Sequence, residues 1–272
     1  VHRHETGWSL GAGITLAHLE RHAGLAAELP AMVQAAGAVA GPGHRTVATL
    51  GGNLCQDTRC MHDNPSAWWR ETDHFCLKHE GEVCHVAPQS QRCHAAYEGD
   101  LAAALLAYGA EVEIAGTLQP PRRTPIAALY RDDGAAHLTI AAGELIAAVH
   151  VPHPVAGTAS AYHKARVRMA MDFPLAGVAV ALRMGAQGLA ALSVGISGTN
   201  SQPLRLEGTE ELLGRAVDDA ALHALGRLVA GQMGPMRSTR STVMASNHRR
   251  LAAVAAAARL VRRLAAAPAP AL

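Results

Sequence analysis

The pattern of apolar and polar positions changes several times along the chain, and each change predicts an element. Residues 7–14, Gly7-Trp8-Ser9-Leu10-Gly11-Ala12-Gly13-Ile14, read as a short strand. A helical stretch follows from Thr15 to about Ala40, with breaks near Gly24 and Pro30. The turn Gly41-Pro42-Gly43 leads to Thr49-Leu50-Gly51-Gly52-Asn53. From Leu54 to Tyr97 neither a helical nor a strand period is sustained. Order resumes at Gly99-Asp100-Leu101, where Asp100 as N-cap and Gly109 as C-cap frame a short helix. Glu111–Ile114, Leu138–Ile140 and Ile146–Val151 are strand candidates. Pro152, Pro154 and Gly157 then mark a domain junction. Beyond it, Leu175–Met184 and Leu189–Ser197 read as strands joined through Gly185-Ala186-Gln187-Gly188. Helical patches at Glu210–Ala216, Asp219–Ala230 and His248–Ala265 follow, and Ala267–Leu272 reads as a frayed tail. No internal repeat is visible. The expected architecture is a two-domain α+β chain divided near residue 152.

Composition narrows the chemistry. Hydrophobic residues are 49% of 272, enough for a sizeable core, but aromatics are 3%, so Ala, Leu and Val must fill most of it. The net charge of +2 lacks the basic bias of a nucleic-acid-binding chain. No apolar run is long enough for a membrane span, so neither nucleic acid nor membrane is an expected partner. Val1-His2-Arg3-His4-Glu5 does not read as a signal peptide, and without an initiator Met the chain is expected to be a fragment of a cytoplasmic protein. No Gly-x-Ser-x-Gly, Walker loop or His-Glu-x-x-His supports a hydrolase.

All five cysteines, Cys55, Cys60, Cys76, Cys84 and Cys93, lie in the aperiodic stretch. A lone cysteine is usually a small buried hydrophobe, but five crowded into one irregular segment fit that role poorly. A structureless loop of this length is usually functional, and ligation would supply the order it lacks. Cys60 to Cys93 read C-x15-C-x7-C-x8-C. Four thiolates suit a 4Fe–4S cluster. They also suit zinc, with His62, His74, His79, His85 and His94 as further donors, although the close C-x2-4-C pairs usual for zinc are missing. Cys55 directly follows the glycine turn and is expected to pack there, which leaves the later four as ligands; spacing alone decides neither point. Trp68-Trp69 and Val83–Ala87 are expected to give the segment a small packed shell.

Gly51-Gly52 permits backbone angles closed to other residues and exposes N–H groups that suit a pyrophosphate. An ordinary Gly-Gly turn is the plainer account of a bare Thr-x-Gly-Gly-Asn. Lys164, in Ala161-Tyr162-His163-Lys164-Ala165-Arg166, reads by default as a surface lysine.

Taken in order, these segments resemble the FAD-binding middle subunits of the xanthine dehydrogenase (molybdenum hydroxylase) family. The resemblance rests on Ala48-Thr49-Leu50-Gly51-Gly52-Asn53, then Gly99-Asp100-Leu101 opening a helix that ends Tyr108-Gly109-Ala110-Glu111-Val112-Glu113. It continues through Ala142-Gly143-Glu144-Leu145-Ile146, Val151-Pro152, Ala161-Tyr162-His163-Lys164, Arg168, Asp172 and His248-Arg249-Arg250-Leu251. It implies a molybdopterin dehydrogenase-type FAD-binding domain over residues 1–152 and a smaller α+β domain of the CO dehydrogenase flavoprotein type over 153–272. Family members begin with a further segment holding a first glycine-rich FAD loop, and this chain starts after it. Most members also pass directly from the glycine turn to the Asp-led helix, whereas about 40 residues intervene here. That insertion, through Asp57-Thr58-Arg59-Cys60, Trp68-Trp69-Arg70, Cys84-His85-Val86-Ala87-Pro88 and Arg92-Cys93-His94-Ala95-Ala96-Tyr97, resembles the beta subunits of 4-hydroxybenzoyl-CoA reductases.

This second resemblance implies Cys60, Cys76, Cys84 and Cys93 as ligands of a 4Fe–4S cluster and excludes Cys55. It implies that Thr49, Leu50, Gly51, Gly52 and Asn53 hold the FAD pyrophosphate, and that Asp100, Ile146 and Lys164 line the flavin site. No residue need act as acid, base or nucleophile. Electrons would come from ferredoxin and pass by 4Fe–4S and FAD to a small 2Fe–2S subunit and a molybdopterin-containing large subunit. The large subunit would reductively dehydroxylate 4-hydroxybenzoyl-CoA to benzoyl-CoA. The alternatives are a flavin subunit of another molybdenum hydroxylase, acting oxidatively, and a zinc-ordered interaction module without catalysis.

Overall fold

A computed structural model describes residues 1–117, 119–234 and 246–267; the expected frayed tail, apart from Ala267, lies outside the described residues. In chain order the elements begin with β1 (His2–Arg3), β2 (Gly7–Gly11), α1 (Leu16–Arg21), α2 (Ala23–Glu28) and α3 (Pro30–Ala38). Next come α4 (Pro42–Arg45), α5 (Leu50–Leu54), α6 (Ala67–Thr72), α7 (Leu101–Ala107), β3 (Glu111–Gly116), β4 (Arg122–Pro125) and β5 (Glu144–Pro152). The rest are β6 (Thr158–Ala165), β7 (Ala176–Gly185), β8 (Gly188–Ser197), β9 (Leu204–Arg205), α8 (Asp219–Gly231) and α9 (Ser246–Ala266). The class is α+β, as the sequence predicts.

Two antiparallel sheets carry the fold. The first has strand order β1-β2-β5-β3-β4 and the second β6-β7-β8-β9. In the first, Ser9 pairs with His150 and Val112 with Val149, and a register shift falls between Glu113 and Ile114. In the second, Ala161 pairs with Val180 and Val178 with Ile196.

The period of two in β7 explains how the layers stack. Val178, Val180 and Leu182 enter the core formed with α8 and α9, whereas Ala179 and Ala181 enter the core formed with α3 and α7. Small residues on the latter face let α7 come close. A Cβ on Gly195 of β8 would collide with the Ala103 backbone of that helix. Every residue of α7 is buried, as expected for a helix that is apolar all round.

Several boundaries differ from the sequence reading. The helical stretch after β2 breaks at His22, whose imidazole caps α2, so Gly24 lies inside a helix. Leu138–Ile140 contributes only an isolated bridge from Leu138 to Tyr130. Glu210–Ala216 keeps only a 3-10 turn, Thr209–Leu212, bracketed by Gly208 and Gly214 at positive φ. The strands β4 and β6 carry too many polar or small residues to be evident from alternation.

Candidate functional site

The glycine turn is helical. Thr49 caps α5, accepting a hydrogen bond on its hydroxyl from the Gly52 N–H at 3.1 Å. The Leu50 N–H donates to Ile14 O at 2.9 Å and the Gly51 N–H to Ala12 O at 2.8 Å. These first-turn donors are therefore spent within the chain, which corrects the expectation of an open nest of free N–H groups. Gly51 is required because a Cβ there would lie 2.9 Å from Ala12 Cβ. Gly52 is exposed, and a Cβ there would meet only the Thr49 hydroxyl, at 3.0 Å. Asn53 is buried and accepts the Leu101 N–H at 3.2 Å, so it caps α7 rather than facing outward.

Asp100 stands at the N-cap position of α7 but makes no capping bond. Its Oδ1 accepts from the Tyr162 hydroxyl at 2.6 Å and its Oδ2 from Lys164 Nζ at 3.0 Å. Both side chains of the Asp100–Lys164 pair are 4% exposed, so Lys164 is not a surface lysine. Lys164 also donates to Ala38 O at 3.1 Å. Burial raises the Asp100 carboxyl above its usual range, against the opposing pull of Lys164 and the Tyr162 hydrogen bond. Ile146, on β5, is a buried core residue. The structure thus joins Asp100 to Lys164, joins Asn53 to the start of α7, and leaves Ile146 in the adjoining apolar core.

The cysteine-rich segment contains one short helix, α6, and is otherwise irregular. Cys60, Cys76, Cys84 and Cys93 are each 4–5% exposed. Burial pushes the Cys60 thiol up to about 11, with the Cys76 and Cys84 sulfurs adding to the rise. Burial pushes Cys93 up to about 12, with Cys84, Cys60 and Cys76 adding. The four are electrostatic neighbours. Cys55 is not among them; it packs half-buried against the first core, and burial raises its thiol. Among the described residues no three His, Cys, Asp or Glu side chains converge on the position of one metal ion.

Backbone geometry is unusual around Cys76. Of five non-glycine residues at positive φ among the described residues, His74, Phe75 and Glu80 flank it. Such conformations cost about 1–3 kcal/mol each and persist where the surroundings fix them. Gly81 is needed there, since a Cβ would lie 2.6 Å from the Cys76 nitrogen. Backbone hydrogen bonding from His62 and Asp63 offsets part of the rise at the Cys60 thiol, and the Ala95 N–H donates to Cys93 Sγ at 3.3 Å. Of the five histidines, the His62 and His85 rings lie 5.2 Å apart and His94 is buried on Ser90. The expected packed shell is only partly present. Val86 packs against Cys60, Cys93 and Ala95, but Trp68 is 68% exposed and Trp69 45%.

Sequence reasoning missed the residues that tie this segment to the scaffold. Tyr97, four positions after Cys93, is fully buried and donates to Asn53 O and Leu54 O, and its hydroxyl meets that of Tyr130 at 3.2 Å. Glu98 pairs with Arg249 of α9 at 3.4 Å in the interior. The available signal was composition, because the chain has only 4 tyrosines. All four, Tyr97, Tyr108, Tyr130 and Tyr162, make internal hydrogen bonds.

Residues 1–154 match the FAD-binding domain of molybdopterin dehydrogenase, and residues 160–264 match the CO dehydrogenase flavoprotein C-terminal domain. The aldehyde oxidoreductase FAD-binding subunit PaoB of Escherichia coli (strain K12) is 31% identical over 183 residues, 62% of this chain and 54% of that protein. The chain thus spans about half the length of this relative. Reconstituted CO dehydrogenase from Oligotropha carboxidovorans superposes with a TM-score of 0.74 at 23% identity, covering 97% of this chain and 77% of the other. Quinoline 2-oxidoreductase from Pseudomonas putida 86 gives 0.70 at 17% identity, covering 97% and 76%. No helix among the described residues is long and apolar enough to cross a membrane. With more than half its length matched, the chain belongs to the FAD-binding domain family of the molybdopterin dehydrogenases.

Proposed function

We propose that this chain is an electron-transfer flavin and iron–sulfur subunit of the 4-hydroxybenzoyl-CoA reductase type. The observation that carries the proposal is the group of four buried cysteines, mutually interacting, from which Cys55 is set apart. Cys60, Cys76, Cys84 and Cys93 would hold a 4Fe–4S cluster. Their chemistry fits, because a cluster takes four thiolates and spreads them over several irons rather than gathering them on one point. Thr49, Leu50, Gly51, Gly52 and Asn53, with Asp100, Ile146 and Lys164, would form this chain's share of the FAD site. The exposed Gly52 and the half-buried Thr49 hydroxyl beside it leave room for a phosphate to approach. When bound, the two groups supply one- and two-electron transfer between a low-potential donor and partner subunits.

The chain's own residues prepare those sites. N–H groups of His62, Asp63 and Ala95 favour thiolate at Cys60 and Cys93 and tune the potential of a ligated cluster. Burial excludes water from the sulfurs. The Asp100–Lys164 pair and the Tyr162 hydroxyl fix charge and orientation beneath α7. In this role no side chain of the chain would need to act as nucleophile, acid or base. The partners would be a molybdopterin-containing large subunit that dehydroxylates 4-hydroxybenzoyl-CoA to benzoyl-CoA, a small 2Fe–2S subunit, and ferredoxin in the cytoplasm. The chain would divide at Pro152 into a flavin domain and a C-terminal domain.

A second reading is an oxidising hydroxylase of the same family, favoured by the name of the Escherichia coli relative. Turnover of 4-hydroxybenzoyl-CoA with a reduced low-potential donor separates the two. The first test is iron, acid-labile sulfide and zinc per chain after anaerobic purification. About four irons and four sulfides are expected, and Cys76→Ser should lose them while Cys55→Ser keeps them. Zinc without sulfide, or unchanged iron in Cys76→Ser, would overturn the ligand assignment.

A further inference from the structure

Two buried phenols close the end of α5. Tyr97 donates to Asn53 O at 3.1 Å, Tyr130 donates to Leu54 O at 3.0 Å, and the two hydroxyls lie 3.2 Å apart. The last carbonyls of a helix have no partner within it, and away from water they need a donor from elsewhere. Because α5 spans only Leu50–Leu54, the phenols fix its last residues as Ala12, Ile14 and Thr49 fix its first. Burial pushes both phenols above their usual range, so each keeps its proton and remains a donor. The rings meet edge to face, with centroids 5.0 Å apart. Gly99 makes room for the contact, since a Cβ there would collide with the Tyr97 hydroxyl and lie 2.8 Å from Asn53 O.

Tyr97 arrives directly from the cysteines. Ala96 and Arg59 exchange backbone N–H···O bonds, both 2.7 Å, so the residue before Tyr97 is paired with the residue before Cys60. Cys93 lies three positions before Ala96, and its carbonyl accepts from the Gly134 N–H at 2.9 Å and from Ser201 Oγ at 3.0 Å. The first and last of the four buried cysteines thus adjoin one bridge, and that bridge leads into the side chain that holds Asn53. On the far side the Asn53 amide oxygen accepts the Leu101 N–H. One tyrosine therefore stands between the segment that would carry the cluster and the turn that would carry the FAD pyrophosphate. Contiguous hydrogen bonds between ordered elements are a physical route for coupling two sites.

We propose that Tyr97 is a positioning residue that transmits the order of the cysteine segment to the flavin-binding turn, so that the protein with its cluster binds FAD more tightly than the protein without it. The proposal rests on the flavin and iron–sulfur reading above and adds a dependence of one site on the other. By linkage that dependence is reciprocal, so bound FAD also favours the cluster. A tyrosine that served the core alone would affect FAD affinity equally with and without the cluster.

The test is a double-mutant cycle on the assembled enzyme after its flavin is removed, with FAD itself as the probe and quenching of flavin fluorescence as the readout. Cys76→Ser supplies the cluster-free state. It should weaken FAD binding at least about fivefold in the unaltered background, the low end of usual coupling between sites. In the Tyr97→Phe background iron and sulfide should stay unchanged, and Cys76→Ser should then weaken FAD binding less than about twofold. Tyr108→Phe removes another buried hydroxyl, bonded instead to the Ala31 N–H and Ser160, and should leave the full dependence in place. A second measurement needs no change at Tyr97. Backbone amides of Leu50–Leu54 should lose protection from exchange in Cys76→Ser while those of β7 keep theirs. FAD affinity indifferent to Cys76→Ser, full dependence retained in Tyr97→Phe, equal loss of it in Tyr108→Phe, or unchanged protection of Leu50–Leu54 each overturns the proposal. Failure of the underlying reading is distinguishable, because it shows as missing iron and sulfide in the unaltered protein and overturns both.

Discussion

Two short helices of nearly equal length frame the behaviour of the whole chain. In α7, Leu101–Ala107, every residue is buried; in α6, Ala67–Thr72, none is. The first is ordered by apolar packing between two sheets, with Ala179, Ala181 and Gly195 clearing space for it. The second is held by Arg70 on backbone carbonyls, by the Lys78 network and by its position between Cys60 and Cys76. The scaffold is ordered around α7 by the packing of its own side chains. The cysteine segment relies on polar straps and, in the proposed function, on ligation.

The largest expected effect separates the two by removing metal. After iron is chelated from the holoprotein, backbone amides over residues 55–97 should exchange at least about tenfold faster, while those of α7 keep their protection. Equal loss in both would mean that the cluster orders the scaffold too, and the contrast would fail. Next in size is the buried ion pair at the head of α7. Lys164→Met leaves Asp100 without its cation in a site where both side chains are 4% exposed, and should cost about 3–5 kcal/mol by urea unfolding. A loss below about 1 kcal/mol would mean that Tyr162 alone satisfies the carboxyl. Leu105→Ala should cost about 2–5 kcal/mol, because it opens a cavity in a closed layer. Trp68→Ala on α6 should stay within about 0.5 kcal/mol. Comparable values for the two would show that the indole pair stabilises the isolated chain.

This contrast also explains what could be read from the sequence. Strands such as Ala176–Gly185 and Gly188–Ser197 were legible because a Gly-bounded turn separates two long apolar runs. Helix α7 was legible from its Asp-led, Gly-ended apolar run, but the role of Asp100 was not. A sequence displays an N-cap residue, whereas the competing hydrogen bonds from Tyr162 and Lys164 arrive from a strand more than sixty positions away. The same applies to Thr49–Asn53. The glycines announced a tight backbone, but its N–H groups are claimed by Ala12 and Ile14, which no local pattern reveals. In the cysteine segment, spacing chose no ligand set, and burial with mutual proximity separates Cys55 from the rest. Trp68 and Trp69 misled because an indole is a core residue by default, and only tertiary structure shows that this pair is left outside.

The smallest expected effect concerns the edge of the scaffold, where the N-terminal strands meet α2 through one carboxylate. Glu28 accepts from Arg3 Nε at 2.9 Å and from Trp8 Nε1 at 3.0 Å, and lies 2.7 Å from His153 Nδ1. Burial pushes its carboxyl up, but the hydrogen bonds from Trp8, Arg3 and His153 outweigh that, and the net shift is downward from 4.5. The folded chain then holds this proton less tightly than the unfolded chain. The stabilisation is therefore fully present above about pH 4.5 and disappears as the pH falls through the lower folded value. Glu28→Gln should be less stable than the unaltered chain at pH 7, and the gap should close on acidification below that window. Urea midpoints at half-unit intervals from pH 6 to pH 3 measure it. A gap that widens with acid would mean that the unfolded chain, not the folded one, holds the carboxylate better. The tie between α2 and the first two strands would then rest on the apolar face of Trp8 rather than on the Glu28 carboxylate.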